Sequence, residues 1–358
     1  MLNSKDISVV VQGAINKTET KKCLKSIRKF LPDAEIILST WENSDVTNLI
    51  GLYDKIIFNK DVGAPVVGEV NGKKIYNNMN RQLLSTQEGI KQTTRKYVLK
   101  FRSDLILSNT NFLTFFDKYT ERGEEYKLFE HKILIPTLVT RFSIDKNLLT
   151  PFHFSDWWFF GLKQDIEEYF LKTPLVKEPE FSNYFNNVEN SEKVSPYLPI
   201  AIKFSPEQYF GYSCFARNFE DIYMEDASDI NDLIVEKYRK CLINNFIVLD
   251  YKRSGIYLNK YLSARNEILQ GPCFFGLYNF YRFEKDYKEF CDKNYKIITN
   301  NKIFEDEEYR LAFLKVYHHI SRIKISQISL SNKLENIFIS IPYYTIKFIL
   351  KYWKYLLK

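Results

Sequence analysis

Charged and polar side chains interrupt an apolar run that otherwise has the composition of a buried strand. The run is KYVLKFRSDLIL, residues 96–107, and it carries Lys100, Arg102, Ser103 and Asp104. A carboxylate at the end of a central strand is placed to bind Mg²⁺ or Mn²⁺, which prefer oxygen ligands. In a regular strand Lys100 and Arg102 share one face, where they could pair with acids or with phosphate. A structural ion pair between Arg102 and Asp104 is the alternative interpretation.

Alternating strand and helix patterns surround this run and predict the architecture that positions it. The predicted strands are 7–15, 34–41, 54–61 and 96–107, and the predicted helices between them are 16–32, 43–53 and 77–94. Strands that alternate with helices predict a mostly parallel sheet flanked by helices.

Polar residues cluster where the predicted strands end. Ligands bind beyond the carboxyl ends of the strands in such sheets, so these residues are the candidates for a site. They are Gln12, Gly13, Thr40, Trp41, Glu42, Asp61, Arg102, Ser103 and Asp104. The loop after the first strand lacks GxGxxG and no GxxxxGK[ST] occurs, so neither a dinucleotide fingerprint nor a P-loop is present.

The middle of the chain predicts further elements with less regular spacing. Residues 131–141 predict a strand that leads into a loop, and residues 151–170 predict a loop, a strand and a helix. Ser205 and Pro206 give residues 203–218 the N-terminal signature of a helix.

Composition excludes several classes of protein. The net charge of +7 comes from 51 Lys and Arg against 44 Asp and Glu, and no nucleic-acid-binding signature occurs, so no nucleic-acid partner is expected. The five cysteines are widely spread without a CxxC pair, which argues against a disulfide framework or a zinc site. No signal-peptide pattern and no apolar run of about 20 residues is found, so we expect a cytoplasmic location.

Four motifs occur in order along the first part of the chain: VVVQGAI, SIRKFLPDAEIILSTWE, NNMNRQLLSTQEGI and YVLKFRSDLIL. Together they resemble the WavE lipopolysaccharide-synthesis family over roughly residues 7–220. The chain is also broadly similar to GT-A-type nucleotide-sugar glycosyltransferases. The resemblance implies a Rossmann-like GT-A fold, a nucleotide-sugar donor and a role in the assembly of a surface polysaccharide, either lipopolysaccharide or capsule.

The resemblance places the sequence RSD at the position of the DxD metal motif, with Asp104 matching its last acid. A divalent metal, Mn²⁺ or Mg²⁺, on Asp104 would hold the donor diphosphate and neutralise the charge of the leaving group. Arg102 stands where the first acid is usual. Neutralisation of the diphosphate by Arg102 itself is therefore the alternative, and dependence on a metal stays open.

The same resemblance gives donor-binding roles to other polar residues. Gln12 and Gly13 would lie near the base or the ribose. Glu42 and Asp61 would accept hydrogen bonds from ribose hydroxyls or from the base edge. For each of them, a helix cap or an ordinary surface position is the alternative.

Asn80 and Arg81 begin the predicted helix 77–94 and would face the same cleft. An arginine at a helix N-terminus suits a phosphate or a base edge. Lys100 and Ser103 complete the expected donor-binding set around the RSD motif.

An inverting glycosyltransferase needs a carboxylate that takes the proton of the acceptor hydroxyl. In GT-A enzymes this acid commonly sits at a helix start roughly 100 residues after the metal motif, and Glu207 in SPEQY matches that spacing. An acid favoured there by the helix dipole is the alternative. Asp156 in HFSDWW is the competing base, and it could instead bind sugar hydroxyls. His153 beside it is expected to be structural.

The C-terminal part predicts a different organisation. We expect a GT-A-like catalytic domain at 1–220 and a mostly helical region at 221–358. Its tail, 336–358, is rich in aliphatic and aromatic residues, and its lysines follow one helical stripe. This pattern predicts a helix that lies on an anionic membrane surface, and a core-packed terminal helix is the alternative.

These features together predict a glycosyltransferase that moves a sugar from a nucleotide-sugar donor to a lipid-linked or oligosaccharide acceptor. The enzyme would be inverting and peripheral on the inner face of the cell membrane. A catalytically silent nucleotide-sugar-binding partner in a polysaccharide-assembly complex and a nucleotidyltransferase are the alternatives.

Overall fold

Strands and helices alternate over the first hundred residues of the computed structural model, which describes residues 2–70, 72–141, 150–187, 193, 195, 196, 200–258 and 278–299. The strands are β1 (Ile7–Gln12), β2 (Glu35–Trp41), β3 (Lys55–Asn59), β4 (Val66–Val70), β5 (Lys73–Tyr76), β6 (Tyr97–Arg102), β7 (Leu105–Leu107), β8 (Ile133–Pro136), β9 (Trp158–Leu162), β10 (Phe246–Leu249) and β11 (Ile256–Leu258). The α-helices are α1 (Glu19–Phe30), α2 (Met79–Lys91), α3 (Lys163–Phe170), α4 (Pro206–Ala216), α5 (Asp232–Asn245), α6 (Tyr251–Ser254) and α7 (Phe280–Phe290).

A seven-stranded sheet in the order β10-β8-β9-β6-β1-β2-β3 forms the centre of the fold. β9 runs antiparallel to β6 and to β8, and the other neighbouring strands are parallel. All six residues of β1 are buried, which explains its continuous apolar run, because a central parallel strand is covered on both faces. The predicted architecture, a mostly parallel sheet flanked by helices, is confirmed.

Several local expectations were wrong. The run 96–107 is not one strand: β6 ends at Arg102, a turn follows, and β7 pairs antiparallel with β11. The helix expected at 43–53 is only a 3₁₀ turn, Thr47–Leu49. The hairpin β4–β5 was not predicted, because its short strands are largely exposed and lack a clear apolar alternation.

The carboxyl edge of the sheet collects the ends of several strands. In the sheet register Gln12 of β1 lies beside Arg102 of β6, and Trp41 of β2 lies beside Asn59 of β3. Since β9 is antiparallel to β6, its first residue Trp158 lies at the same edge, and the segment before β9 arrives there too. This edge is where the polar residues meet.

Residues beyond 220 also contribute to the sheet. β10, whose four residues are all buried, pairs in parallel with β8, so the described part of this region is not only helical. The domain boundary at 220 stays a prediction, and the tail 336–358 lies outside the described residues. None of the helices in the described ranges has the length and apolarity needed to span a bilayer.

Candidate active site

A cleft of about 1210 Å³ opens at the carboxyl edge of the sheet. Its walls include ten of the residues expected at the site: Gln12, Gly13, Trp41, Glu42, Asp61, Arg81, Arg102, Ser103, Asp104 and Glu207. Pockets for single small molecules usually measure about 300–1,000 Å³. The cleft therefore has the size for two substrates bound side by side.

Arg102 and Asp104 form a two-pronged ion pair at the base of the cleft. The Arg102 Nε and Nη2 atoms lie 3.2 Å from Asp104 Oδ1 and Oδ2, respectively. The guanidinium also lies 5.2 Å from the ring of Trp157. Burial acts to lower the pKa of Arg102, but the charges of Asp104 and Asp156 outweigh it and raise that pKa, so the side chain is a fixed cation.

This pairing bears on the expected metal at Asp104. Both carboxylate oxygens face the guanidinium of Arg102, so an ion on Asp104 would have to displace that partner. Within the described ranges, no group of three or more His, Cys, Asp or Glu side chains is arranged to hold a metal. An ion on Asp104 would therefore need substrate phosphate oxygens and water for its other ligands, and the divalent metal stays a prediction.

Ser103 and Gly13 shape the turn beside this pair. Ser103 Oγ donates to the Ala14 carbonyl oxygen at 2.9 Å. Gly13 has a φ of 120°, which side chains with a Cβ rarely adopt, and a Cβ there would lie 3.3 Å from Ser103 Oγ. Glycine at residue 13 thus lets the loop after β1 turn and lie against Ser103.

Glu207 lies in the first turn of α4, on the cleft wall, with 18% of its side chain exposed. A helix N-terminus normally favours the ionised carboxylate. Here burial, followed by the negative charge of Asp156, raises the pKa of Glu207 to about 7. The group can therefore both accept and release a proton near neutral pH, which is the property required of a general base.

His153 contacts the same carboxyl group. Its Nδ1 lies 2.8 Å from the Val139 carbonyl oxygen, which can only accept, so Nδ1 carries the proton of the neutral ring. Its Nε2 faces Glu207 Oε2 at 3.7 Å. Burial lowers the pKa of His153 to about 3, so this contact is not an ion pair. An uncharged nitrogen lone pair beside Glu207 favours the protonated carboxyl.

Asp156 and Lys100 lie beneath the cleft rather than on its wall. Each is 1% exposed. Lys100 Nζ donates to the backbone oxygen of Asp156, and burial lowers the pKa of Lys100 to about 8. The Asp156 carboxylate accepts from Gln82 Nε2. Asp156 is therefore placed to act on the cleft through Gln82.

Arg81 and Asp61 pair on another part of the cleft wall. Arg81 Nε lies 2.7 Å from Asp61 Oδ1, and this hydrogen bond holds the pKa of Asp61 below its ordinary value. Asn80, by contrast, does not line the cleft. Its amide exchanges two hydrogen bonds with the backbone of Val176, at 3.0 and 2.9 Å, which fixes that loop.

The structure adds wall residues that sequence reasoning missed. The hairpin β4–β5 and two later segments contribute Val67, Ile75, Tyr76, Ile200, Ile202 and Ser205. Helix α2 and the residue before it contribute Asn78, Gln82 and Ser85. Together with Arg81, these residues have the i, i+3, i+4, i+7 spacing of one helix face. This polar stripe was the available signal, because helices of a buried sheet normally turn an apolar stripe toward it.

Gly211 allows α4 to carry Glu207 to this position. A Cβ at residue 211 would lie 2.2 Å from the Phe152 carbonyl oxygen and 2.5 Å from Phe154 Cδ2. Only glycine lets the helix pack this closely against the segment that carries His153 and Asp156.

Comparison with known proteins supplies a family. A family model described as WavE lipopolysaccharide synthesis matches residues 7–317, beyond the range 7–220 covered by the motifs. The crystal structure of S. aureus TarS is 12% identical, with 59% of this chain and 33% of that chain covered and a TM-score of 0.33. This chain thus spans about a third of TarS, and so low a score defines no common fold. No curated protein matches significantly. Because the family match extends over most of its length, the chain belongs to the WavE lipopolysaccharide-synthesis family.

Proposed function

We propose that this protein is an inverting glycosyltransferase. It moves a sugar from a nucleotide-sugar donor to a lipid-linked or oligosaccharide acceptor during synthesis of lipopolysaccharide or a related capsule. The observation that carries the proposal is Glu207, a carboxyl group with a pKa of about 7 on the wall of a cleft large enough for two substrates. The family supports the polysaccharide context.

In the proposed reaction the ionised Glu207 takes the proton from the acceptor hydroxyl. The acceptor oxygen attacks the anomeric carbon of the donor sugar from the face opposite the diphosphate. A new glycosidic bond forms as the bond to the diphosphate oxygen breaks, and the nucleoside diphosphate leaves with that electron pair. One base and one displacement invert the anomeric centre.

Arg102 is proposed to face the leaving diphosphate. Its guanidinium lines the cleft, and Asp104 and Trp157 hold it in place. A fixed cation where negative charge develops stabilises the transition state more than the ground state. A divalent ion on Asp104 stays a prediction, and every step above involves only groups of the chain and its substrates.

The rest of the donor site is proposed from the cleft walls. Gln12 and Gly13 lie beside Arg102 and would contact the base or the ribose. Glu42 and the Arg81–Asp61 pair lie on the same walls and would bind hydroxyls, the base edge or phosphate.

A thermal-shift screen of nucleotides and nucleotide sugars, run with Mn²⁺ and with a chelator, tests the donor site. We expect one nucleotide class to raise the melting temperature. A rise that requires Mn²⁺ would assign the ion to the site, whereas an equal rise in chelator would assign the diphosphate to Arg102. No response to any nucleotide would contradict the proposal.

The base is tested by Glu207→Gln. The variant should keep donor binding in the same screen and lose transfer by at least about a hundredfold, since general-base catalysis typically contributes 10²–10⁴-fold. Near-normal transfer would remove Glu207 from the mechanism.

Attachment of the tail 336–358 to the cytoplasmic face of the membrane is likewise proposed, from its alternating lysines and apolar residues. Deletion of 336–358 should abolish co-sedimentation with anionic phosphatidylglycerol vesicles. Unchanged sedimentation would contradict a membrane role for the tail.

A further inference from the structure

The Asp156 carboxylate is buried and makes one specific contact. It is 1% exposed, and its Oδ2 accepts a hydrogen bond from Gln82 Nε2. Its Oδ1 is buried without a hydrogen-bond partner among the described residues. Burying a carboxylate oxygen without a hydrogen-bond partner costs free energy, so the buried Asp156 calls for a functional explanation.

The contact fixes which way the Gln82 amide points. A carboxylate only accepts hydrogen bonds, so the amide must turn its NH₂ group toward Asp156. The amide oxygen Oε1 then lies on the other branch of the planar group. Gln82 lines the cleft, and across the described ranges no donor contacts its Oε1. The cleft therefore presents a hydrogen-bond acceptor at this point.

The position of Asp156 also separates it from Glu207. Glu207 lines the cleft, whereas Asp156 lies beneath it with Gln82 above. A base must reach the proton it removes, to about 2.6–3.2 Å or through one water. Glu207 is exposed to the cleft where a hydroxyl would bind, whereas Asp156 is 1% exposed and contacts the cleft wall through Gln82.

We infer that Asp156 is a positioning residue: it orients the Gln82 amide so that Oε1 accepts a hydrogen bond from a sugar hydroxyl in the cleft. The ligand group is a hydroxyl of a saccharide, on either the transferred sugar or the acceptor. The inference rests on the proposed glycosyl transfer, because it names the chemical group that the same site recognises.

Asp156 acts on Glu207 as well. The charged and titratable groups around Glu207 are Asp156, His153, Arg141, Arg102, Lys100 and Tyr169. Asp156 is the one whose negative charge disfavours ionisation of Glu207, and the two arginines favour it. Removal of the Asp156 charge should therefore shift the acid limb of the activity profile to lower pH.

Asp156→Asn is the first test, since Asn has the same shape and can both donate and accept. The Gln82 amide is then no longer held in one orientation. We expect transfer to persist, with KM for one substrate raised about three- to tenfold, the range for one lost hydrogen bond. The acid limb of kcat/KM should move to lower pH.

Gln82→Met is the second test. Methionine keeps the size of the side chain but removes both the NH₂ donor and the carbonyl acceptor of the amide. Its matched control is Gln87→Met in the same helix, where the amide donates to the Phe170 and Thr173 carbonyls at 2.8 and 2.7 Å, away from the cleft wall. Gln82→Met should raise KM as Asp156→Asn does. Gln87→Met should lower only the melting temperature.

Calorimetry with monodeoxy analogues of the nucleotide sugar that the wild type binds identifies the hydroxyl. The analogue that lacks the recognised hydroxyl should bind wild type and Gln82→Met equally. If the intact nucleotide sugar and all its analogues bind wild type and Gln82→Met equally, the hydroxyl belongs to the acceptor, and KM for the acceptor should carry the change instead.

Two results would overturn the inference. Asp156→Asn that binds both substrates normally but fails to turn over at any pH would make Asp156 the base. Unchanged KM and an unchanged pH profile in Asp156→Asn and Gln82→Met would reduce the contact to packing. Failure of the proposed function looks different, because the wild type itself would then transfer no sugar.

Discussion

Glu207 is subject to opposing influences on its charge. The helix N-terminus and two arginines favour the carboxylate, whereas burial and Asp156 favour the neutral acid, and the second pair prevails. The neutral His153 adds a lone pair rather than a positive charge. The result at the residue scale is an acid whose proton affinity suits catalysis at neutral pH.

The pH dependence of activity follows from this pKa. If Glu207 must be ionised to act, kcat/KM should rise about tenfold per pH unit below pH 7 and level off above it. Initial rates between about pH 5.5 and 8.5 measure this pH profile of kcat/KM. A profile already flat at pH 5.5 would contradict the assignment.

The stability of the protein should depend on pH through the same group. The folded pKa of about 7 exceeds the ordinary value of 4.5, so between these two values the unfolded chain loses the proton first. The folded state therefore loses stability as pH rises through this window, by an amount on the order of 3 kcal/mol at pH 7 and above.

Glu207→Gln removes the loss of folding stability that ionisation of Glu207 causes as pH rises. At pH 8 the variant should have a higher melting temperature than the wild type, and near pH 4.5 the two melting temperatures should be similar. Scanning calorimetry at both pH values makes the comparison. A difference in melting temperature that is the same at both values would contradict the raised pKa.

At the scale of elements, the site depends on how α4 and β9 are placed. The antiparallel course of β9 delivers the segment 152–157 to the edge where the parallel strands end. α4 then packs on that segment through Gly211. These two placements bring Glu207 within reach of the turn after β6, although the two lie far apart in the chain.

Gly211→Ala should disturb this packing. The added Cβ would meet a backbone oxygen at 2.2 Å, so we expect a loss of stability of about 1–3 kcal/mol together with reduced transfer. Ser213→Ala in the same helix adds no atom, loses only the hydroxyl and its hydrogen bond with Tyr209, and is the control. Chemical denaturation compares the two variants. Equal stabilities would show that α4 can move without cost.

At the scale of the molecule, the sheet extends past the expected domain boundary. β10 adds a fully buried parallel strand beside β8, and the family match continues to residue 317. The described residues after 220 therefore contribute to the same core.

A chain that ends at residue 220 should consequently fail to fold. It would leave the buried edge of β8 and its apolar neighbours exposed to water. Circular dichroism and gel filtration of residues 1–220 and 1–335 make the comparison. A monomeric, cooperatively melting 1–220 fragment would support the predicted boundary at 220.

Local sequence patterns were sufficient to predict the periodic elements and the residues at their ends. Buried parallel strands require unbroken apolar runs, so β1, β2 and β6 were recognisable, and polar residues just after them stood out. The Ser-Pro-Glu start of α4 is equally local. Which of these polar residues share a cleft depends on the packing of distant segments. This packing placed Asp156 and Lys100 beneath the wall, turned Asn80 toward Val176, and brought the hairpin β4–β5 to the site. These outcomes depend on the direction of β9 and on contacts between distant segments, which no local pattern encodes.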